Sequence, residues 1–221
     1  MPTLSEVIAR LSFLTASPAV VGLVVTASLI IMVRDWRASL AALLAQYLLL
    51  GFLLTRLIPL EVATVKTLIG ALICPILYLT ARRGRWGRQR DKDRPSPLPT
   101  GWEVFPVGLP FRLLAVVLMG LVASSLLKSY PLPEVPRDIG FACYWLALVG
   151  LLVMILTAEP LKAGLGLLTF MAGFELFYAA LESSLSVVGL LGIVNLFMAL
   201  AIAYLASAGQ VELVRSSDHD G

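Results

Sequence analysis

The sequence predicts an all-α, polytopic integral membrane protein with about seven transmembrane helices. Three observations lead there. The 221 residues are 59% hydrophobic and only 14% charged, with a mean hydropathy of +0.91, whereas a soluble domain is about 45–50% apolar and about 25% charged. Apolar runs close to the roughly 20 residues needed to cross a bilayer recur along the whole chain. Lysine and arginine then fall unevenly on the two sides that these runs define.

Residues 1–17 read as an N-terminal interfacial segment. Leu4, Val7, Ile8, Leu11 and Leu14 recur at helical spacing. Glu6 and the single arginine, Arg10, do not make the basic head of a signal peptide. The first span is expected over 18–33, with Ser17-Pro18 as its start, because proline suits the first helical position. The second covers 38–55. The third covers 60–80 and carries Pro75, where a kink is expected. These spans form a three-helix membrane unit, 18–80. A basic loop, 81–110, separates them from a linking transmembrane helix, 111–128. After the Pro-rich link SYPLPEVPRD come spans over 139–157, 160–182 and 185–207, a second three-helix unit (139–208), and a polar tail, 209–221.

Orientation follows the distribution of lysine and arginine. With seven spans, twelve of the 17 basic residues share one side, seven of them between Arg82 and Arg94; four lie on the other, and Lys66 falls inside a span. The bias places the N-terminus outside and the C-terminus in the cytoplasm of a bacterial or archaeal plasma membrane. The net charge of +3 resides in a loop beside the membrane, so it gives no reason to expect a nucleic-acid partner. The Arg82–Arg94 run is read as an orientation signal lying on anionic lipid, or as a docking surface for a cytoplasmic subunit.

The two cysteines, Cys74 and Cys143, lie in apolar runs and read as buried thiols. The single histidine, His219, is in the tail. No Cys/His cluster suits zinc, haem or iron–sulfur ligation. No cofactor, metal site or catalytic centre is expected in this chain.

The sixth span, PLKAGLGLLTFMAGFELFYAALE, holds a carboxylate, Glu175, where hydrocarbon should be. An ionisable group inside a span is costly and points to function. Lys66 in the third span, Gln46 in the second and Asn195 in the seventh are further polar positions. At 1.5 Å per residue, Lys66 and Glu175 lie about 10 Å from the outer ends of their spans and Asn195 about 15 Å. Three helices thus place polar groups in one layer of the outer half, with Gln46 near the midplane. Glu175, Tyr178 and Glu182 share a helix face. Low dielectric disfavours a carboxylate's charged form and a nearby ammonium favours it, so such a group can load and release a proton. The same residues also admit a structural account: an ion pair that only holds helices together, an Asn195 that bonds a neighbouring helix, a solvated Glu182 and a packed Tyr178. Gly164, Gly166, Gly173, Gly189 and Gly192, with the run Ala199/Ala203/Ser207, read as close-packing positions.

From Leu148 onward the chain resembles the small K subunit of bacterial respiratory complex I. The segment LVGLLVMILTAEPLKAGLGLL looks like that family's first span, turn and second-span entry, and AGFELFYAAL places Glu175 at its intramembrane glutamate. The family's third span carries a second glutamate; here GIVNLFMAL has Asn195 at the matching position. In the first half, VRDWRASLAALLAQ and ATVKTLIGALICPILYLTARR resemble component E of hydrogenase-4-type complexes, with Arg34, Trp36, Arg37, Gln46 and Lys66 on the pattern. Component E also ends in a K-like three-span unit and has about this length.

The resemblance implies a membrane-arm subunit of a complex I-like assembly of the hydrogenase-4 or formate hydrogenlyase type. Its partners would be antiporter-like membrane subunits, within the lipid bilayer, and redox chemistry would belong to other, cofactor-bearing subunits. Candidate proton-path residues are Glu175 as the loading group, Lys66 as its modulating charge, and Gln46, Tyr178, Asn195 and Glu182 as neighbours. The alternatives are a structural or assembly subunit with no proton path, or a subunit of a multisubunit cation/proton antiporter. An independent transporter is disfavoured, because no pair of Gly/Pro-broken spans recurs in two halves.

Overall fold

The computed structural model describes residues 4–33, 35–83, 109–132, 135–157, 159–181 and 185–217. Among these, all regular structure is helical. The helices are α1 (Leu4–Met32), α2 (Trp36–Leu54), α3 (Leu60–Arg83), α4 (Leu109–Ser129), α5 (Arg137–Leu156), α6 (Pro160–Leu181) and α7 (Leu185–Ser217). The last six each contain a stretch long and apolar enough to cross a membrane, and α1 contributes a shorter apolar stretch, Pro18–Met32. This is a polytopic membrane architecture. The loop arginines from Arg85 to Arg94, Arg34 and His219 lie outside the described residues.

Two element boundaries differ from expectation. Pro18 does not open a helix; it lies inside α1, which runs unbroken from Leu4. The apolar spacing from Leu4 to Leu14 already carries a helix, and proline removes one backbone hydrogen bond without forcing an end. At the other terminus α7 continues to Ser217, through residues assigned to the tail. Pro75 likewise lies within α3. The start of α2 is fixed locally: the Asp35 carboxylate accepts from Arg37 N at 3.1 Å, supplying a partner for an N–H that the helix leaves unpaired.

The helices form two layers of three. In one layer α1 packs on α2 and α2 on α3; in the other α5 packs on α6 and α6 on α7. The layers face each other in register, α1 on α5, α2 on α6 and α3 on α7. α2 and α6 are the central pair, each with 56% of its apolar span buried inside the protein, whereas α4, packed on the side of α5 and α1, buries 6%. Leu23, Leu43, Leu50, Leu146, Leu165 and Leu168 fill the interior between the layers.

Small residues let the backbones approach, as is usual where lipid-soluble helices must pack without a hydrophobic drive between them. On the α5–α6 contact a Cβ at Gly150 would run into the backbone of Phe170, one at Gly166 would stand 2.9 Å from Gly150 O, and one at Gly173 2.8 Å from Ala147 N. Gly164 meets Ile202 of α7 and Gly192 meets Ile69 of α3. Gly189 is not a packing position: it is exposed and a Cβ there would touch nothing. The buried stripe of α7 is Ala199, Ile202 and Ala206, with Ala203 half-buried and Ser207 exposed, a slight rotation from the expected Ala199/Ala203/Ser207 line.

Candidate functional site

Glu175 lies where α6, α3, α7 and α2 converge. One carboxylate oxygen, Oε1, takes two partners: Lys66 Nζ of α3 at 3.1 Å and Asn195 Nδ2 of α7, which donates to it at 3.2 Å. All three side chains are buried, Glu175 to 2%, Asn195 to 4% and Lys66 to 7% of full exposure. The three depths along separate spans thus meet in one constellation, which joins the two layers of the fold.

The local sequence explains how a lysine reaches this place. A Cβ at Gly51 of α2 would collide with the Thr67 side chain of α3, and a Cβ at Gly70 would stand 2.6 Å from the Tyr47 ring. Glycine at both positions lets α2 and α3 close against each other. Thr67 turns its hydroxyl back to donate to Ala63 O at 2.7 Å, so its polar group is satisfied within α3. Lys66 lies one residue before Thr67, rotated by about 100° on a helix of 3.6 residues per turn.

Beside the pair is a cavity of about 10 Å³, lined by Tyr47, Lys66, Thr67, Glu175 and Asn195 together with Gly51 and Gly70. Tyr47 is 3% exposed, and the Asn195 side chain lies within reach of its buried hydroxyl. Asn195 Oδ1 is buried as well. Tyr47 was not among the sequence candidates. Two signals could have found it: Gly51 one turn beyond it, and Gly70 one turn beyond Lys66, mark the faces on which α2 and α3 close.

The other sequence candidates fall elsewhere. Gln46 is fully buried with both amide atoms lacking hydrogen-bond partners, but it does not line the cavity. Tyr178 is half-buried and also outside the lining. Glu182 lies outside the described residues. Cys74 and Cys143 are buried free thiols, and among the described residues no three His, Cys, Asp or Glu side chains gather as a metal site would require.

Chemically, the arrangement holds one proton between two basic groups. Transfer across the 3.1 Å from Nζ to Oε1 turns an ion pair into a neutral amine and a neutral acid with little movement of heavy atoms. A proton gained or lost by either group leaves a net charge in a low-dielectric layer, which the Asn195 amide can stabilise only in part. The site therefore favours the net-neutral pair, as ion pair or as neutral amine and acid. No family model, curated protein or solved structure matches the chain.

Proposed function

We propose that this chain is a membrane-arm subunit of a complex I-like assembly of the hydrogenase-4 or formate hydrogenlyase type, in which Glu175 is loaded and unloaded with a proton. The observation that carries this is the buried Lys66–Glu175 pair at 3.1 Å, inside spans, with Asn195 on the same oxygen. Isolated ionisable groups at such depth are costly, and burial and a neighbouring ammonium act in opposite directions on a carboxylate's hold on its proton, which lets such a group be loaded and unloaded. The resemblance of AGFELFYAAL to a K-type span and of ATVKTLIGALICP to component E supports the same assignment. The chain carries no cofactor in this scheme; electron transfer belongs to partner subunits. It lies in the plasma membrane with its N-terminus outside and C-terminus in the cytoplasm, so a C-terminal fluorescent-protein fusion should fluoresce and a C-terminal alkaline-phosphatase fusion should be inactive.

A purely structural role has one observation in its favour. The pair ties α3 to α6 across the two layers, and a buried pair can be retained for specificity alone. Glu175→Gln in the assembled complex separates the two. The proton-loading role predicts an assembled complex whose redox turnover no longer drives proton transfer. Normal assembly with normal proton transfer would leave the structural role. Mild-detergent purification of the tagged chain, with identification of what accompanies it, distinguishes a hydrogenase-type complex from a cation/proton antiporter, which has antiporter-like subunits without redox partners.

A further inference from the structure

We propose that the outer edge of the α2–α3 pair binds one anionic phospholipid, whose phosphate is held by Arg37 and Arg82 with the Trp36 and Tyr78 rings between them. Unlike a diffuse loop charge, the site is a defined set of residues from two helices, and it is independent of the proton-loading role.

The topology brings the four side chains to one face of the membrane. The apolar spans of α2 and α3 cover Trp36–Leu54 and Leu60–Arg82, and the short turn between them makes the helices antiparallel neighbours. The first turn of α2 and the last turn of α3 thus lie side by side. The Trp36 and Tyr78 rings join them, with centroids 5.6 Å apart. The Arg37 guanidinium lies over the Trp36 ring, 5.2 Å from its centroid. Arg82 follows Tyr78 by four residues, so it stands one turn further along the same helix face. Arg37, Trp36, Tyr78 and Arg82 form a row that crosses from α2 to α3.

The charge of this row is not balanced within the protein. Both arginines are exposed, and among the described residues neither pairs with a carboxylate. The acid beside them in sequence, Asp35, turns its carboxylate to the backbone N–H of Arg37. Two guanidinium groups against one carboxylate leave the row net positive, and the planar fork of arginine matches a phosphate. Each arginine also tops an exposed apolar stripe. Leu44 and Leu48 follow Arg37 by seven and eleven residues on α2, and Leu79 and Leu72 precede Arg82 by three and ten on α3. A phospholipid has the same order, two acyl chains below a phosphate. Tryptophan and tyrosine favour the headgroup level, and arginine stems reach it from apolar surface. A free phosphate would use the guanidinium groups and leave the stripes unused. A zwitterionic headgroup brings its own ammonium toward the two arginines, whereas an anionic one does not.

The test offers the purified chain in detergent an equimolar mixture of phosphatidylglycerol and phosphatidylcholine with identical acyl chains, and native mass spectrometry counts the lipid retained. Wild type should prefer phosphatidylglycerol by about 25-fold, because each basic residue at a membrane surface favours anionic lipid by about fivefold. Arg37→Gln and Arg82→Gln should each lower that preference by about fivefold, and the double variant should abolish it. Two separate single variants guard against one that misfolds. Arg56→Gln, at the opposite end of α2, should leave the preference unchanged. Equal retention of the two lipids by wild type overturns the proposal. So does a loss in Arg56→Gln equal to that in Arg37→Gln, which would make the attraction a property of surface charge in general. Millimolar inorganic phosphate should leave the bound phosphatidylglycerol in place; displacement by it would make this a site for the free anion and overturn the lipid assignment.

Discussion

Lys66 Nζ and Glu175 Oε1 meet at 3.1 Å across the seam between the two helix layers. The amide of Asn195 is the other partner at that oxygen. The pair is the charged centre of a seam that also buries Gln46, Tyr47 and Asn195 among its apolar side chains.

Removing one half of the pair should therefore cost more than removing both. Lys66→Met strands the carboxylate and should destabilise the protein by about 3–5 kcal/mol, the range for breaking a buried pair. The double variant Lys66→Met/Glu175→Gln should recover most of that loss. Unfolding of the four purified proteins in mixed micelles gives the coupling energy by a double-mutant cycle. Additive losses would mean that the two side chains do not depend on each other.

Gly150 and Gly189 should respond oppositely to the same change. At Gly150 a Cβ would run into the backbone of Phe170, which no rotamer can relieve, whereas at Gly189 it would meet nothing. Gly150→Ala should cost about 1–3 kcal/mol, as overpacking does. Gly189→Ala should be neutral or stabilising by up to about 1 kcal/mol, because alanine fixes a helix better than glycine. Thermal denaturation of the two variants in detergent checks both.

These two glycines also show how far the sequence reaches. Both sit in apolar helices; the sequence reads Gly189 as a packing position and does not single out Gly150, and only the neighbours show the reverse. The spans themselves were legible, because their lengths and composition are imposed by the bilayer. The common layer of Lys66, Glu175 and Asn195 was legible too, since depth follows from residue count. Facing was not. Gln46 and Tyr47 are adjacent, and a helix turns about 100° between them, so one residue's difference decides which of them lines the cavity. A glutamine attracts notice in an apolar span and a tyrosine does not. Pro18 misled for a related reason: its preference for a helix start is local, while α1 is set by the apolar spacing on both sides of it.

Arg112 should hold the end of α1. Its Nη1 donates to Ile31 O at 3.0 Å, from α4 to the last turn of α1, where helix carbonyls lack partners of their own. Arg112→Ala should destabilise by about 1.5–3 kcal/mol, the range for a hydrogen bond to a charged group. It should also speed amide hydrogen exchange at the α1–α2 turn. Unchanged exchange there would mean that α4 does not secure that helix end.

The seam pair also sets an order on biosynthesis. Lys66 belongs to α3 and its counter-charge to α6. The ribosome must add roughly 100 further residues between the two, which takes about 5–20 s at 5–20 residues per second. Throughout that interval Lys66 lacks its carboxylate partner, a cost of a few kcal/mol that snorkelling toward the headgroups reduces. The final pairing of the two layers therefore waits for α6.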